Sequence, residues 1–115
     1  NKVLAHPSSV DSIPTSANQE DHVSMGMYSA RKAANILVNV KNILAIEFLT
    51  AAQGLDFKKP LRPGKGTGAV HEAIRQKVPF LKKDEYIRPL IEDTVRLVED
   101  GTLLEAARAV VGDLE

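Results

Sequence analysis

The feature that most limits what this chain can fold into is a run of apolar positions that keeps helical spacing for more than thirty residues. Val23, Met27, Ala30, Ala34, Leu37, Leu44, Phe48, Ala51 and Leu55 follow steps of three and four, broken only at Lys41. A second stripe of Ala33, Ile36, Val40 and Ile43 runs beside the first, and the polar strip shrinks to Lys32, Asn35, Asn39 and Asn42. The spacing predicts one helix over about 19–57. At 1.5 Å per residue it would rise about 57 Å, against a radius of gyration of about 13 Å for a compact chain of this size. A helix apolar around most of its circumference needs helical neighbours on most sides. The rest of the chain offers three short ones, so further neighbours are expected from other chains or other segments. Ala-rich seams and two stripes suit the middle of a bundle better than a simple coiled coil.

Around this rod the chain divides by its turn chemistry. Residues 1–14 read as an extended or turning lead-in, because Pro7 and Pro14 lack backbone donors and Ser8, Ser9, Asp11 and Ser12 favour loops. Residues 58–67 read as a loop, kept irregular by Pro60, Pro63, Gly64 and Gly66. Residues 68–115 predict three short helices. The first turns Val70, Ala73 and Ile74 inward and ends near Lys77. The second spans 85–99, capped by Asp84, kinked by Pro89 and stopped by Gly101, with Ile87, Leu90, Ile91, Thr94, Leu97 and Val98 on one face. The last, over 103–111, is opened by a Thr102/Glu105 capping box and buries Leu103, Ala106, Ala107 and Val110. No stretch reads as a strand. The fold class is therefore all-α: a long central helix plus three shorter helices, part of a larger helical bundle.

Charge narrows the choice of partners. The 115 residues carry 15 basic and 15 acidic side chains, so there is no general pull toward nucleic acid or a lipid surface. Residues 58–83 hold eight Lys or Arg against one Glu, and residues 84–115 hold nine acids against three Arg; these read as solvated faces able to pair with each other. Without Cys there is no disulfide framework and no thiolate metal site. No uninterrupted apolar run reaches the roughly 18 residues of a membrane span. The chain opens on Asn1 rather than Met, so its natural beginning is expected to be missing and targeting is left unread.

Polar side chains concentrate at the mouth of the long helix. Ser16 and Gln19 have capping-box spacing, with Asn18 as a second possible cap. Either cap puts Glu20 and Asp21 in the first turn, where the macrodipole stabilises each by about 0.3 to 1 kcal/mol. That accounts for two acids, but not for Gln19, Glu20, Asp21 and His22 in succession beside a Pro-containing loop. Elsewhere, Arg62-Pro63-Gly64-Lys65-Gly66-Thr67-Gly68 fails as a phosphate loop, since no strand precedes it and Lys65 is followed by Gly66 rather than Ser or Thr. His71-Glu72 fails as a zinc-protease signature, because position 75 is Arg75, and His71 reads as a surface or interface residue.

The run from His6 to Gly26, with Pro7-Ser8-Ser9-Val10-Asp11-Ser12-Ile13-Pro14-Thr15-Ser16-Ala17-Asn18-Gln19-Glu20-Asp21-His22 at its centre, closely resembles the C-terminal part of the histidine ammonia-lyase family. That family stands within the aromatic amino acid ammonia-lyases and aminomutases. The likeness continues in Ala30-Arg31-Lys32 and, more loosely, in Arg62-Pro63-Gly64 and Gly66-Thr67-Gly68, so it covers essentially the whole chain. It implies all-helical, cytoplasmic homotetramers whose active sites are shared between subunits, with L-histidine as substrate, and with no metal, nucleic acid or membrane involved. The implied reaction eliminates ammonia from L-histidine to give trans-urocanate, the opening step of histidine degradation. The implied cofactor is an electrophilic methylidene-imidazolone, MIO, made from an Ala-Ser-Gly triplet. This sequence holds no such triplet, so the chain alone is expected to be inactive.

By position in the family motif Glu20 is the catalytic, substrate-binding carboxylate, with Gln19 and His22 as substrate-binding neighbours. Glu20 either orients the substrate or also transfers protons. His22 favours a histidine lyase over tyrosine or phenylalanine enzymes, and either shapes the pocket or satisfies Asp21. Asp21 reads as structural. Neither Tyr28 nor Tyr86 inherits the family's catalytic tyrosine. Two other readings compete: a tyrosine or phenylalanine lyase or aminomutase, and a non-catalytic helical docking module, which would not need the polar run from Gln19 to His22.

Overall fold

The long apolar pattern folds as one continuous helix, α1 (Gly26–Asp56), in a computed structural model that describes residues 1–10, 13–20 and 23–113. Three shorter helices follow: α2 (Lys65–Arg75), α3 (Arg88–Glu99) and α4 (Thr102–Val111). The chain is all-α, as its periodicity predicts. It divides into two compact units, Asn1–Val40 and Lys41–Glu115.

In the first unit α1 starts at Gly26 and not at Gln19, so the capping box predicted from Ser16 and Gln19 does not form. The reason is local competition for backbone donors. The N–H groups of Thr15 and Glu20 are exchanged across an isolated antiparallel bridge, at 2.8 Å and 3.2 Å, and Ser16, Ala17 and Asn18 all take positive φ between them. Residues in that region cannot extend a right-handed helix. Ser24 serves the start of α1 instead, its Oγ accepting the N–H of Gly26 at 3.3 Å. No acid lies in the first turn of α1, which removes the predicted dipole role for Glu20. The lead-in is tied to the helix by Lys32 Nζ, which donates to the carbonyl of His6, and by Asn39 Nδ2, which donates to Asn1 Oδ1 at 2.9 Å.

The second unit carries the core. Ala52 of α1 meets Ile74 of α2, Val78, Leu97 of α3 and Leu103 of α4, with Phe48, Leu49, Val70, Ala73, Leu90 and Val98 packed around them. Thr94 is fully buried and satisfies its hydroxyl on the Leu90 carbonyl at 2.8 Å. Ile91, Ala106 and Ala107 are half-buried beside this cluster, and two predicted core residues are exposed. Ile87, which precedes the first turn of α3, is 45% exposed, and Val110 is 48% exposed, lining a cleft with Lys65 and His71.

Proline and glycine decide where the later helices begin. α3 starts at Arg88 rather than after Asp84, because Pro89 has no N–H to give and is tolerated only in a first turn. It therefore opens the helix instead of kinking it. Gly101 stops α3 with a φ of +79° and stands immediately before α4. The Thr102/Glu105 box is not made: Asp100 Oδ1 accepts the Thr102 N–H at 2.9 Å, and Glu105 turns to Arg108. The Thr102 side chain, and after it the Thr102 N–H, lower the Asp100 carboxyl from its ordinary value. Open space surrounds the Gly101 Cα, so Gly101→Ala tests the backbone alone. It is expected to destabilise the chain by about 1 kcal/mol, read as a lower urea midpoint at unchanged slope.

Charge pairing also departs from expectation. Among the described residues Lys59 and Arg75 of the basic segment pair with Asp56, and Arg88, Arg96 and Arg108 pair within their own helices with Glu92, Asp93 and Glu105. Side chains three or four apart on one helix meet without ordering any loop, which favours these local pairs over pairing between segments. The flanks of α1 remain open, with Leu37 55% and Ile43 54% exposed. By length and composition alone α1 is apolar enough to cross a membrane, although no uninterrupted run in the sequence is.

Candidate functional site

Two polar constellations stand out, one in each unit. The first is the loop from Thr15 to Glu20. Backbone bonds join the two end residues in both directions, and the Gln19 N–H closes the turn on the Ser16 carbonyl at 3.1 Å. The φ values of Ser16, Ala17 and Asn18 are 51°, 56° and 67°, a left-handed turn built without glycine. Such residues cost of order 1 kcal/mol or more each, so the bridge and its flanks must hold them there. At the end of this loop Thr15 Oγ1 donates to Glu20 Oε2 at 3.0 Å. Thr15 is half-buried, and Gln19 and Glu20 are exposed.

Gln19 and Glu20 are thus adjacent on a tight turn, six residues and more ahead of α1, rather than on its first turn. Asp21 and His22 lie outside the described residues. The arrangement can present an exposed carboxylate with one oxygen engaged by Thr15. Such a group accepts hydrogen bonds from a cation or a ring N–H.

The second constellation surrounds Asp56, the last residue of α1, whose side chain is only 6% exposed. Lys59 Nζ lies 2.9 Å from Oδ1, and Arg75 Nε donates to Oδ2 at 2.8 Å. Arg75 also reaches the carbonyls of Val78 and Pro79 at 3.1 Å and 3.3 Å and Gln53 Oε1 at 3.4 Å. His71 Nε2 stands 3.3 Å from Asp56 Oδ2 but off the line of a hydrogen bond, which leaves that buried nitrogen without an aligned partner. Hydrogen bonding by Lys59 first, then by Arg75, with His71 close by, outweighs burial and holds the Asp56 carboxyl well below the usual range. His71 is therefore no simple surface residue: its side chain is 18% exposed and faces a carboxylate. This group ties the end of α1 to α2 and to the turn after it. The one carboxylate is met by two cations of the same chain, as expected of a structural clasp.

Sequence reading missed the clasp. Asp56 and Arg75 are nineteen residues apart across a Pro/Gly loop, and no spacing rule joins them. It also missed the work of Gly66, where an added Cβ would come within 3.1 Å of Val111 Cγ1; the glycine lets α2 approach α4. Two clefts border these elements. One of about 390 Å³ is mostly apolar and includes Leu49, Phe57 and Leu90, and one of about 710 Å³ includes Lys59, Arg62 and His71. Gln19 and Glu20 line neither. Among the described residues no group of three His, Asp or Glu side chains could hold a metal ion.

The likeness to known proteins runs over the whole chain. Residues 1–76 match the model of a family described as aromatic amino acid lyase. The histidine ammonia-lyase of Symbiobacterium thermophilum is 55% identical over 115 residues, which are all of this chain and 23% of that protein. That of Deinococcus radiodurans is 55% identical over 112 residues, 95% of this chain and 21% of that protein. The crystal structure of histidine ammonia-lyase from Trypanosoma cruzi superposes with a TM-score of 0.87 at 42% identity, over 94% of this chain and 21% of that one. The chain thus spans less than a quarter of the length of the curated relatives it matches. With more than half of its residues matched by the family model and its helices laid out as in a solved member, the chain belongs to the aromatic amino acid lyase family.

Proposed function

We propose that this chain is the C-terminal helical part of an enzyme that eliminates ammonia from L-histidine to give trans-urocanate, and that it supplies one wall of the active site. The observation that carries this reading is the 55% identity to a histidine ammonia-lyase along the full 115 residues. Glu20 is the residue assigned to the substrate. The elimination breaks a Cα–N bond and a β C–H bond, and its difficulty is a weakly acidic β-proton combined with a poor leaving group. An anchored carboxylate answers part of this by accepting a hydrogen bond from the ammonium or from an imidazole N–H, so that substrate is held in one orientation. Gln19, on the same turn, adds an amide that can donate and accept, and His22 is assigned to the substrate by the family resemblance alone.

MIO, when present, supplies the electrophile that makes the amine a competent leaving group. This chain lacks the Ala-Ser-Gly that forms it, so the group belongs to another part of a whole enzyme. What fits on this chain is the exposed Glu20 carboxylate, a group suited to the substrate beside such an electrophile. Homotetramer assembly in the cytoplasm belongs to the same proposal. Its assembly part is supported by the exposed apolar flanks of α1, typified by Leu37 and Ile43 at more than half exposure. Surfaces of that kind are normally covered.

The test is a chimera in which residues 1–115 replace the homologous segment of the Symbiobacterium relative. It is expected to form urocanate from L-histidine, followed by ultraviolet absorbance, with no cinnamate-type product from phenylalanine or tyrosine. The 115-residue chain by itself is expected to form none. A folded chimera that prefers tyrosine or phenylalanine overturns the histidine assignment, and one inactive on all three overturns the lyase reading.

A further inference from the structure

We infer that Thr15 is a positioning residue for Glu20: its hydroxyl clamps one carboxylate oxygen so that the other meets the substrate from a fixed direction. The inference rests on the assignment of Glu20 to the substrate. It starts from the 3.0 Å bond between Thr15 Oγ1 and Glu20 Oε2 and from the two backbone bonds that hold these residues opposite each other. A glutamate on an exposed turn has three free side-chain torsions, and a substrate that had to order them would lose binding energy in doing so. Threonine is suited to remove that freedom in advance. Its branched Cβ restricts χ1, and its half-buried placement narrows the choice further, so the hydroxyl is aimed before any ligand arrives.

The backbone between the two residues supports the same reading. Four residues close the loop, three of them with positive φ and none of them glycine. A loop that only had to turn would reach this shape more easily with glycine or with a right-handed turn. The left-handed path brings Thr15 and Glu20 into direct register, which places their side chains on the same side of the bridge, where the hydroxyl reaches the carboxylate. Strain of this kind persists where the surroundings over-determine it, and here it holds a polar pair.

The experiment measures kcat and KM of the active chimera carrying Thr15→Val, Thr15→Ser, Glu20→Gln and the double change Thr15→Val/Glu20→Gln. Thr15→Val keeps the branched shape and removes the hydroxyl. It is expected to lower kcat/KM about tenfold, chiefly through kcat, as removal of one hydrogen bond to a charged group does. Thr15→Ser is expected to stay within about twofold of the parent, because it restores the donor. In the Glu20→Gln background, Thr15→Val is expected to add almost nothing, since residues that act as a unit are not additive. A merely structural threonine would instead multiply its loss onto Glu20→Gln. Multiplicative losses, a fully active Thr15→Val, or a Thr15→Ser as poor as Thr15→Val would each overturn the inference while leaving Glu20 in the site. Full activity of Glu20→Gln would overturn the underlying assignment instead.

Discussion

Replacing Glu20 with alanine in the chimera is expected to lower turnover of L-histidine by at least about tenfold, and by about 10² to 10⁴ if the carboxylate also moves a proton. Assembly and thermal unfolding are expected to stay unchanged. Glu20 is exposed, and its side-chain bond runs to the facing residue of the same small loop, so little of the fold depends on it. Its two backbone bonds to Thr15 survive the substitution. The kinetic pattern separates the two roles open to the carboxylate. A rise in KM with kcat preserved means that Glu20 only binds, whereas an equal fall in kcat and kcat/KM means an interaction made in the transition state. Unchanged kinetics would remove Glu20 from the site.

Asp56→Asn is expected to have the largest effect on stability, about 3 kcal/mol, measured by urea unfolding of the 115-residue chain at neutral pH. Asparagine matches the shape of the side chain but not its charge. Arg75, only 17% exposed, would keep its guanidinium beside Val78, Pro79 and Gln53 with no anion to balance it. Leaving one member of a buried pair is worse than never having had the pair, because the desolvation cost remains while the attraction is gone. Lys59 contributes little to this figure, since its side chain is 73% exposed and water screens it.

The same carboxylate sets a pH dependence. Its folded-state pKa lies below the ordinary 3.8, so the folded state binds this proton less readily than the unfolded state does. The contribution is therefore complete above about pH 4 and is lost as pH falls through 3.8 toward the folded value. The stability gap between the parent and Asp56→Asn should accordingly narrow below pH 4 and stay level above it. A gap independent of pH would show that packing, and not charge, is what the substitution removes.

What could be read from residues alone follows a physical dividing line. The periodicity of α1 survives any tertiary context because it reflects a face that must be covered, and the break at Gly101 survives because only glycine is at ease at its φ of +79°. The start of α1 was misread because Ser16, Asn18 and Gln19 are as good at making turns as caps, and their side chains do not reveal which. The outcome depended on whether Thr15 and Glu20 exchanged backbone bonds. Pro89 was misread for a related reason: it forbids a helix interior but permits a first turn, so it moved the boundary rather than bending the helix. The Glu20 assignment, by contrast, came from likeness to a family and not from spacing.

By itself, then, the sequence determined the all-α class, the long rod and its unusual demand for cover, since these follow from short-range rules about which side chains tolerate which backbone. The tertiary structure alone decided that Asp56, His71 and Arg75 meet, that Gly66 admits the close approach of α2 to α4, and that Thr15 grips Glu20. Those outcomes need chain closure over loops whose path no local preference dictates, and for that reason they appear only when the whole backbone is laid down.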